Sequence, residues 1–481
     1  MKNFRFLIIL SFAMIMSSPV FSQGAQGRPD ITGTWMGAVK AGAIEPRLVF
    51  NIRLENGDSL VATLDSPDQG AKGIPLGNVI YESDTLVIYA PLLLGQYRGL
   101  VVSDTLIEGS WTQRGQTFPL ILNKLQDQFV VNRPQEPKEP FPYAAVEVKF
   151  PNTSANIFLA GTLTIPEGTG PFPAVILITG SGAQDRDETI MAHKPFLVIA
   201  DYLTRHGIAV LRYDDRGVAR SQGSQLNATS ADFAGDAQAA FDFLKQDSRI
   251  DPGKIGLAGH SEGGLIAPIV ASSNNDIAFI ISLAGPGVNG EELLLRQQRD
   301  IAQLMGASED EIKDSYEINK KLYKIIRKEK DNQEAQTKAV DMYRKLLKKK
   351  GMSDSAIDEA TTQLLAQLDV SALSWFRYFI STDPARYWSR VLCPVLALNG
   401  EKDVQVAADV NLPAIEKALR TSGNNNVKTV SLPGLNHLFQ HCTTGLPSEY
   451  SKIEETISPE VLEIMASWIT SLPVTGGFNR R

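Results

Sequence analysis

Cysteine is almost missing from this chain: Cys393 and Cys442 are the only two in 481 residues. So low a count excludes a scaffold built on disulfides. Histidine is scarce as well, at five residues, which disfavours a zinc site; no metal and no cofactor is expected. Positive charge is in deficit: the formal net charge is −7, and −9 once Lys2 and Arg5 are removed, the wrong sign for a nucleic-acid binder. Long apolar runs are also lacking after the first two dozen residues, so no membrane span is expected in the mature chain.

What is there begins with MKNFRFLIILSFAMIMSSPVFSQ. A short basic start, an apolar run over 6–16 and small residues before Gln23 read as a signal peptide, residues 1–22, cleaved after about Ser22. No Cys follows the cut, which argues against a lipid-anchored product. The protein is therefore expected to be exported, to a periplasm or the medium.

The remainder is long enough for two or three domains. Residues 23–131 carry short alternating runs, among them "RLVFNIRL", "TLVIYA" and "FPLILNKL", separated by Gly, Asn, Asp and Pro. Turn signals about every ten residues indicate an all-β meander, sandwich or small barrel. Trp35, near the first strand, is expected in its core rather than on a ligand platform. Residues 132–143, "NRPQEPKEPFPY", hold four prolines and read as an extended, semi-rigid linker.

From 144 to 290 strand and helix patterns alternate. "AVEVKF" and "FLAGTLTIP" suit an antiparallel opening pair. "FPAVILITG", "IAVLRYD", "KIGLAGH" and "IAFIISLAG" suit buried parallel strands. Helical patterns lie between them at 194–206, 230–246 and 262–273, giving a doubly wound α/β domain. Residues 291–390 then turn charge-rich and helical, with a capping box at Ser308–Glu311 and an apolar stripe Ile318, Leu322, Ile325, Ile326. The stretch 311–350 holds 13 basic and 7 acidic residues, read here as a solvated face of paired charges. The α/β pattern resumes over 391–481 with "CPVLALNG", "VKTVSLPG" and a closing helix near 457–471. The helices are thus an insertion within the α/β domain, placed as a cap over its ligand-binding edge.

The chemistry centres on Gly259-His260-Ser261-Glu262-Gly263, a G-x-S-x-G match between an apolar strand and an apolar helix. A serine hydroxyl needs exposure, a base and donors for an oxyanion. A sharp strand-to-helix turn exposes Ser261, and the helix start offers the Glu262 backbone N–H. A base and an orienting acid are expected past later strand ends. Asp403, after "VLALNG", and His437, after "VKTVSLPG", fill those places in the order Ser, Asp, His. Glu401 and His441 are the rivals, one nearer solvent and one farther from its strand end. The glycine-rich loop from Thr179 to Asp187 is expected to give the second oxyanion donor from Ser181. It lacks the phosphate-loop pattern. Asp214, Asp215 and Arg216 read as a structural staple.

Taken together, "ITGSGAQDRDE", "RYDDRGVARS", "GHSEGG", "NGEKDVQV" and "LPGLNHLFQ" resemble the α/β-hydrolase superfamily. They are most similar to secreted bacterial carboxylesterases of the serine-aminopeptidase-like branch, some of which carry an N-terminal β domain. The similarity spans about 145–287 and 390–471. Many such relatives have His before the loop glycine where this chain has Thr179. The resemblance implies an α/β-hydrolase fold, a mostly parallel doubly wound sheet with a helical cap, preceded here by the all-β domain.

The leading expectation is a serine hydrolase of small carboxylic esters working through Ser261, His437 and Asp403 and an acyl-enzyme. Its partner would be a small-molecule ester, with no nucleic acid; oligomeric state is left open. A serine aminopeptidase or prolyl-oligopeptidase-like peptidase on the same fold is the alternative, although about 100 residues of β pattern are too few for a propeller of 40–45-residue blades. A non-catalytic binding protein would need none of the three residues.

Overall fold

A computed structural model describes residues 29–39, 46–55, 59–69, 71–113, 115–126 and 132–473. The expected signal peptide lies outside the described residues.

The first sheet is wholly antiparallel. Its strands are β1 (Gly33–Ala38), β2 (Arg47–Glu55), β3 (Ser59–Ser66), β4 (Ala71–Pro75), β5 (Val79–Glu82), β6 (Thr85–Ala90), β7 (Gly95–Ser103), β8 (Leu106–Gln113) and β9 (Gln116–Leu125). They lie in the order β4-β3-β2-β1-β9-β8-β7-β6-β5. The sheet curls on itself. Phe50 on β2 meets Tyr97 on β7 with ring centroids 5.4 Å apart, although four strand steps of about 4.8 Å would separate them on a flat sheet. Inside the curl Trp35, Phe50, Tyr97 and Trp111 form one apolar core. Trp35 is fully buried, and its Nε1–H donates to the Ile31 carbonyl at 2.8 Å, so it is core, as its position in the sequence suggested.

The second sheet comprises β10 (Ala144–Asn152), β11 (Ile157–Ile165), β12 (Phe172–Ile178), β13 (Ala209–Tyr213), β14 (Ile250–His260), β15 (Ile280–Leu283), β16 (Val395–Gly400) and β17 (Val427–Leu432). Their order is β10-β11-β13-β12-β14-β15-β16-β17. β10 and β11 are antiparallel, and β11 runs antiparallel to β13. From β13 onward every pairing is parallel. β13, β15 and β16 are buried along their whole length, as strands covered on both faces must be. On one face α1 (Pro195–Arg205) and α11 (Pro459–Ser471) close a core with Phe196, Leu203 and Met465. On the other, α2 (Ser230–Leu244), α3 (Gly263–Ala271) and α10 (Ala408–Thr421) bring Phe241, Ile266 and Ile415. This is the mixed-to-parallel, doubly wound arrangement that the resemblance implied.

Between β15 and β16 the chain forms α4 (Gly290–Leu304), α5 (Glu309–Lys328), α6 (Asn332–Lys349), α7 (Asp354–Gln367), α8 (Leu373–Ser381) and the short α9 (Ala385–Trp388). The Ser308 capping box is present, its hydroxyl accepting from Glu311 N–H. Leu322, Tyr323 and Ile326 of α5 pack with Tyr343 and Leu347 of α6 in a core of their own. Part of the basic excess of α5 and α6 is ion-paired at the surface, as in Arg344–Asp358 at 2.6 Å and Lys338–Glu334 at 2.6 Å.

The proline-rich segment is pinned to the second sheet's domain rather than spanning solvent. Arg133 donates to the Met191, Ala192 and Ile453 carbonyls at 3.1, 3.1 and 2.9 Å. Gln135 donates to the Ile457 carbonyl at 2.7 Å.

Candidate active site

β14 ends and α3 begins around Ser261, and the backbone there is tight. Ser261 has φ +52, in the left-handed region, a conformation that a side-chain-bearing residue keeps only where its surroundings enforce it. Its N–H donates to the Leu283 carbonyl of β15 at 2.8 Å. The flanking glycines serve close approach: a Cβ on Gly259 would sit 2.0 Å from the Gly263 carbonyl oxygen, and one on Gly263 2.1 Å from that of Ile178. The elbow therefore needs glycine on both sides of Ser261.

Asp403 and His437 follow β16 and β17. His437 Nδ1 lies 2.8 Å from Asp403 Oδ2, and both residues are buried. Asp403 is held as an acceptor: Oδ1 takes the Gln405 and Val406 N–H groups, each at 2.8 Å, and Oδ2 takes Asn399 Nδ2–H at 3.0 Å. That set fixes the His437 tautomer with its proton on Nδ1, leaving Nε2 as a base. Gly400 lets the His437 loop approach, since a Cβ there would come within 2.3 Å of the Leu435 carbonyl oxygen. Of the rivals, His441 is exposed and paired with Glu455 at 2.9 Å, and Glu401 accepts the Gly434 N–H at 3.1 Å.

Ser261, His437, Ser181 and Glu262 line one cavity of about 390 Å³, roofed by Leu293, Leu294, Gln297, Trp375 and Phe379 from the cap. Asp403 sits behind His437. Among the described residues the Ser261 hydroxyl makes no hydrogen bond to His437; such contacts are often long before substrate binds. Gly180 packs against the elbow, its Cβ direction only 3.2 Å from Ser261 Cβ. Thr179, standing where many relatives have His, donates its hydroxyl to Asp215 Oδ1 at 2.7 Å. Asp215 also accepts the Gln184 N–H at 3.0 Å, and burial pushes its carboxyl up to about 7 against those bonds. Asp214 pairs with Arg186 at 2.8 Å and Arg216 with Asp236 at 2.7 Å.

Three side chains at the site lie within motifs the sequence offered, yet none was given a side-chain role there. The Glu262 carboxyl is buried beneath the elbow and accepts the Ser230 hydroxyl at 2.5 Å and the Trp375 Nε1–H at 2.7 Å. Burial pushes it above the usual carboxylate range. The Glu188 carboxylate accepts the Gly180 N–H at 2.7 Å and lies 2.9 Å from His260 Nδ1. Burial works against a charged His260, but Glu188, the His437 carbonyl and Asp403 outweigh it and raise its pKa.

Residues 194–441 match the Hydrolase_4 family, described as serine aminopeptidase, S33. Esterase EstD of Thermotoga maritima is 29% identical over 312 residues, covering 65% of this chain and 65% of EstD. This chain therefore spans just under two thirds of that relative's length. Among solved structures, Est1E from Butyrivibrio proteoclasticus with ferulic acid bound is 19% identical, covering 67% of this chain and 99% of Est1E with a TM-score of 0.40. The Pyrococcus furiosus esterase Pf2001 is 16% identical, covering 72% of this chain and 100% of that one, also with a TM-score of 0.40. With just over half its length inside the family match and its second sheet ordered as described, this chain belongs to the serine aminopeptidase S33 family of α/β-hydrolases.

Proposed function

We propose that the protein is an exported serine esterase that cleaves small carboxylic esters through Ser261, His437 and Asp403. The observation that carries the choice of ester over aminoacyl substrate is the state of the cavity's carboxylates. An aminopeptidase needs a free carboxylate for the substrate ammonium. The two that line this cavity, Glu188 and Glu262, are both buried and committed to protein donors. Similarity to EstD, a named esterase, points the same way.

In this reading His437 Nε2 takes the Ser261 proton as Oγ attacks the ester carbonyl. Asp403 stabilises the imidazolium that results. The Ser181 and Glu262 backbone N–H groups receive the oxyanion, helped by the N-terminus of α3. Collapse expels the alcohol with the proton from His437 and leaves an acyl-enzyme, which water cleaves by the same relay. The cap sets substrate size. It encloses a second, largely apolar cavity of about 510 Å³ that shares Leu294, Gln297 and Trp375 with the catalytic one. Trp375 is locked by Glu262 and by stacking on Phe379 at 5.5 Å, so it serves as the end wall for the acyl group. Export rests on the sequence of residues 1–22.

The test sets chromogenic acyl esters of graded length beside aminoacyl and prolyl amides. kcat/KM should be highest for short acyl chains, roughly C2 to C6. Trp375→Ala should move that optimum to longer chains by opening the wall. Amide cleavage exceeding ester cleavage would replace this reading with the peptidase one.

A further inference from the structure

One buried pair outside the Ser261–His437–Asp403 relay touches the loop that presents Ser181, the Ser261 elbow and the loop that carries His437. His260 ends β14 and is bonded directly to Ser261. Its Nε2 lies 3.1 Å from the His437 carbonyl, which has only lone pairs to offer, so Nε2 carries a hydrogen and donates it. Its Nδ1 meets Glu188 Oε1 at 2.9 Å, and that same oxygen accepts the Gly180 N–H at 2.7 Å from the loop that presents Ser181. Glu188 and His260 are 1% and 5% exposed. Glu188 is held at φ +51, a left-handed conformation retained only where the surroundings over-determine it.

We propose that Glu188 and His260 are positioning residues that fix the oxyanion loop, the nucleophile and the base loop in register with one another. The proposal rests on the serine-hydrolase reading above. The chemistry at Oε1 is specific. A carboxylate oxygen accepts from Gly180 and from a protonated His260 together. A glutamine cannot replace it. With its oxygen toward Gly180 it gives His260 no counter-charge, and with its NH2 toward His260 it strips Gly180 of an acceptor. Neither residue touches the reacting atoms; they act through Gly180, Ser261 and His437.

The test compares Glu188→Gln, His260→Asn and the double variant with the wild type, each checked for a native circular-dichroism spectrum. Two rates are read: phosphonylation of Ser261 by a fluorophosphonate, which reports an activated serine whatever its substrate, and turnover of p-nitrophenyl butyrate. Each single variant should lose about 100-fold in phosphonylation rate and in kcat, the cost of misplacing reacting groups by about 1 Å. KM should stay within about 3-fold, which a general loosening of the cavity would not permit. The double variant should lose no more than the worse single, because the two act as one unit. Should Glu188→Gln fail to fold, Glu188→Asp, which keeps the charge but withdraws it by one methylene, should lose about 10-fold in the same readouts. A folded variant within about 3-fold of wild type in kcat, a loss confined to KM, or fully additive losses would overturn the proposal. A wild type inert to the fluorophosphonate would overturn the serine-hydrolase reading, and the pair's role with it.

Discussion

The α/β domain and its cap handle opposite charges in contrasting ways. In the cap, pairs such as Arg344–Asp358 and Lys338–Glu334 lie at the surface, with side chains about half exposed. They dress helices whose cohesion comes from Leu322, Tyr323, Ile326, Tyr343 and Leu347 beneath. In the α/β domain, Arg216–Asp236 and His260–Glu188 are nearly removed from water. Exposed pairs contribute little and can be exchanged freely. Buried ones leave a stranded charge if broken, so they hold geometry rather than merely add stability. The contrast sets the two regions apart: the loops around Ser261 and Ser181 are tied by buried charge, and the cap is shaped by apolar packing.

The largest effects should come from the buried relay. Ser261→Ala and His437→Ala should each cost about 10⁴-fold or more in kcat with the fold intact. His441→Ala, altering an exposed neighbour four residues on, should cost about tenfold at most, on the order of 1.4 kcal/mol. Equal losses at His437 and His441 in steady-state assays would dissolve the distinction between buried and exposed histidine. Next in size is a stability effect away from the site. Arg216→Ala strands Asp236, whose Oδ2 lies 2.7 Å from Arg216 Nε. It should lower unfolding free energy by about 3 kcal/mol in urea titrations.

Asp215 gives a smaller, pH-dependent effect. Its carboxyl is raised to about 7 when folded and returns to about 3.9 in the unfolded chain. A raised pKa contributes stability that is fully present below about 4 and lost as pH rises through about 7. Relative to Asp215→Asn, the wild type should therefore weaken between those values and then level off. Asp215 keeps an edge toward solvent, so the change should be about 2 kcal/mol. A parallel pair of stability–pH curves would show that the loop does not bury this charge. The smallest effect belongs to the cap. Asp358→Ala should change stability by about 0.5 kcal/mol or less in the same titrations.

Ser261, Asp403 and His437 were legible because each stands just past an apolar run that can only be a buried strand, in an order that brings three strand ends to one edge. Structure now places Ser261 and His437 on one cavity with Asp403 behind. Helix bounds were also close: the pattern at 230–246 became Ser230–Leu244, and that at 262–273 became Gly263–Ala271. Two edge strands of the first sheet, β4 and β5, gave no signal. β4 reads AKGIP, with Gly73 at φ +67 and a terminal proline, a composition tolerated only where one side of a strand has no partner. The Glu188–His260 contact was invisible for another reason. It joins residues 72 apart, and its meaning depends on an oxygen shared with a backbone N–H, which no spacing encodes. Glu262 was read for its backbone alone; that its side chain reaches the cap through Trp375 followed only from the packing of α8 over the elbow.

Arg133 belongs to the segment that precedes the catalytic domain in the chain, yet its guanidinium grips the Met191 carbonyl, and Met191 forms part of the catalytic cavity's rim. A stretch long enough to keep every strand of the second sheet is therefore not yet long enough to keep this support of the rim. A fragment starting at Ala144 retains every strand of the second sheet, the elbow and the cap, but it inherits a rim without its clasp. Any swapping of front modules onto this catalytic body has to carry the dozen residues of the junction along, or forfeit the shape of the mouth they hold.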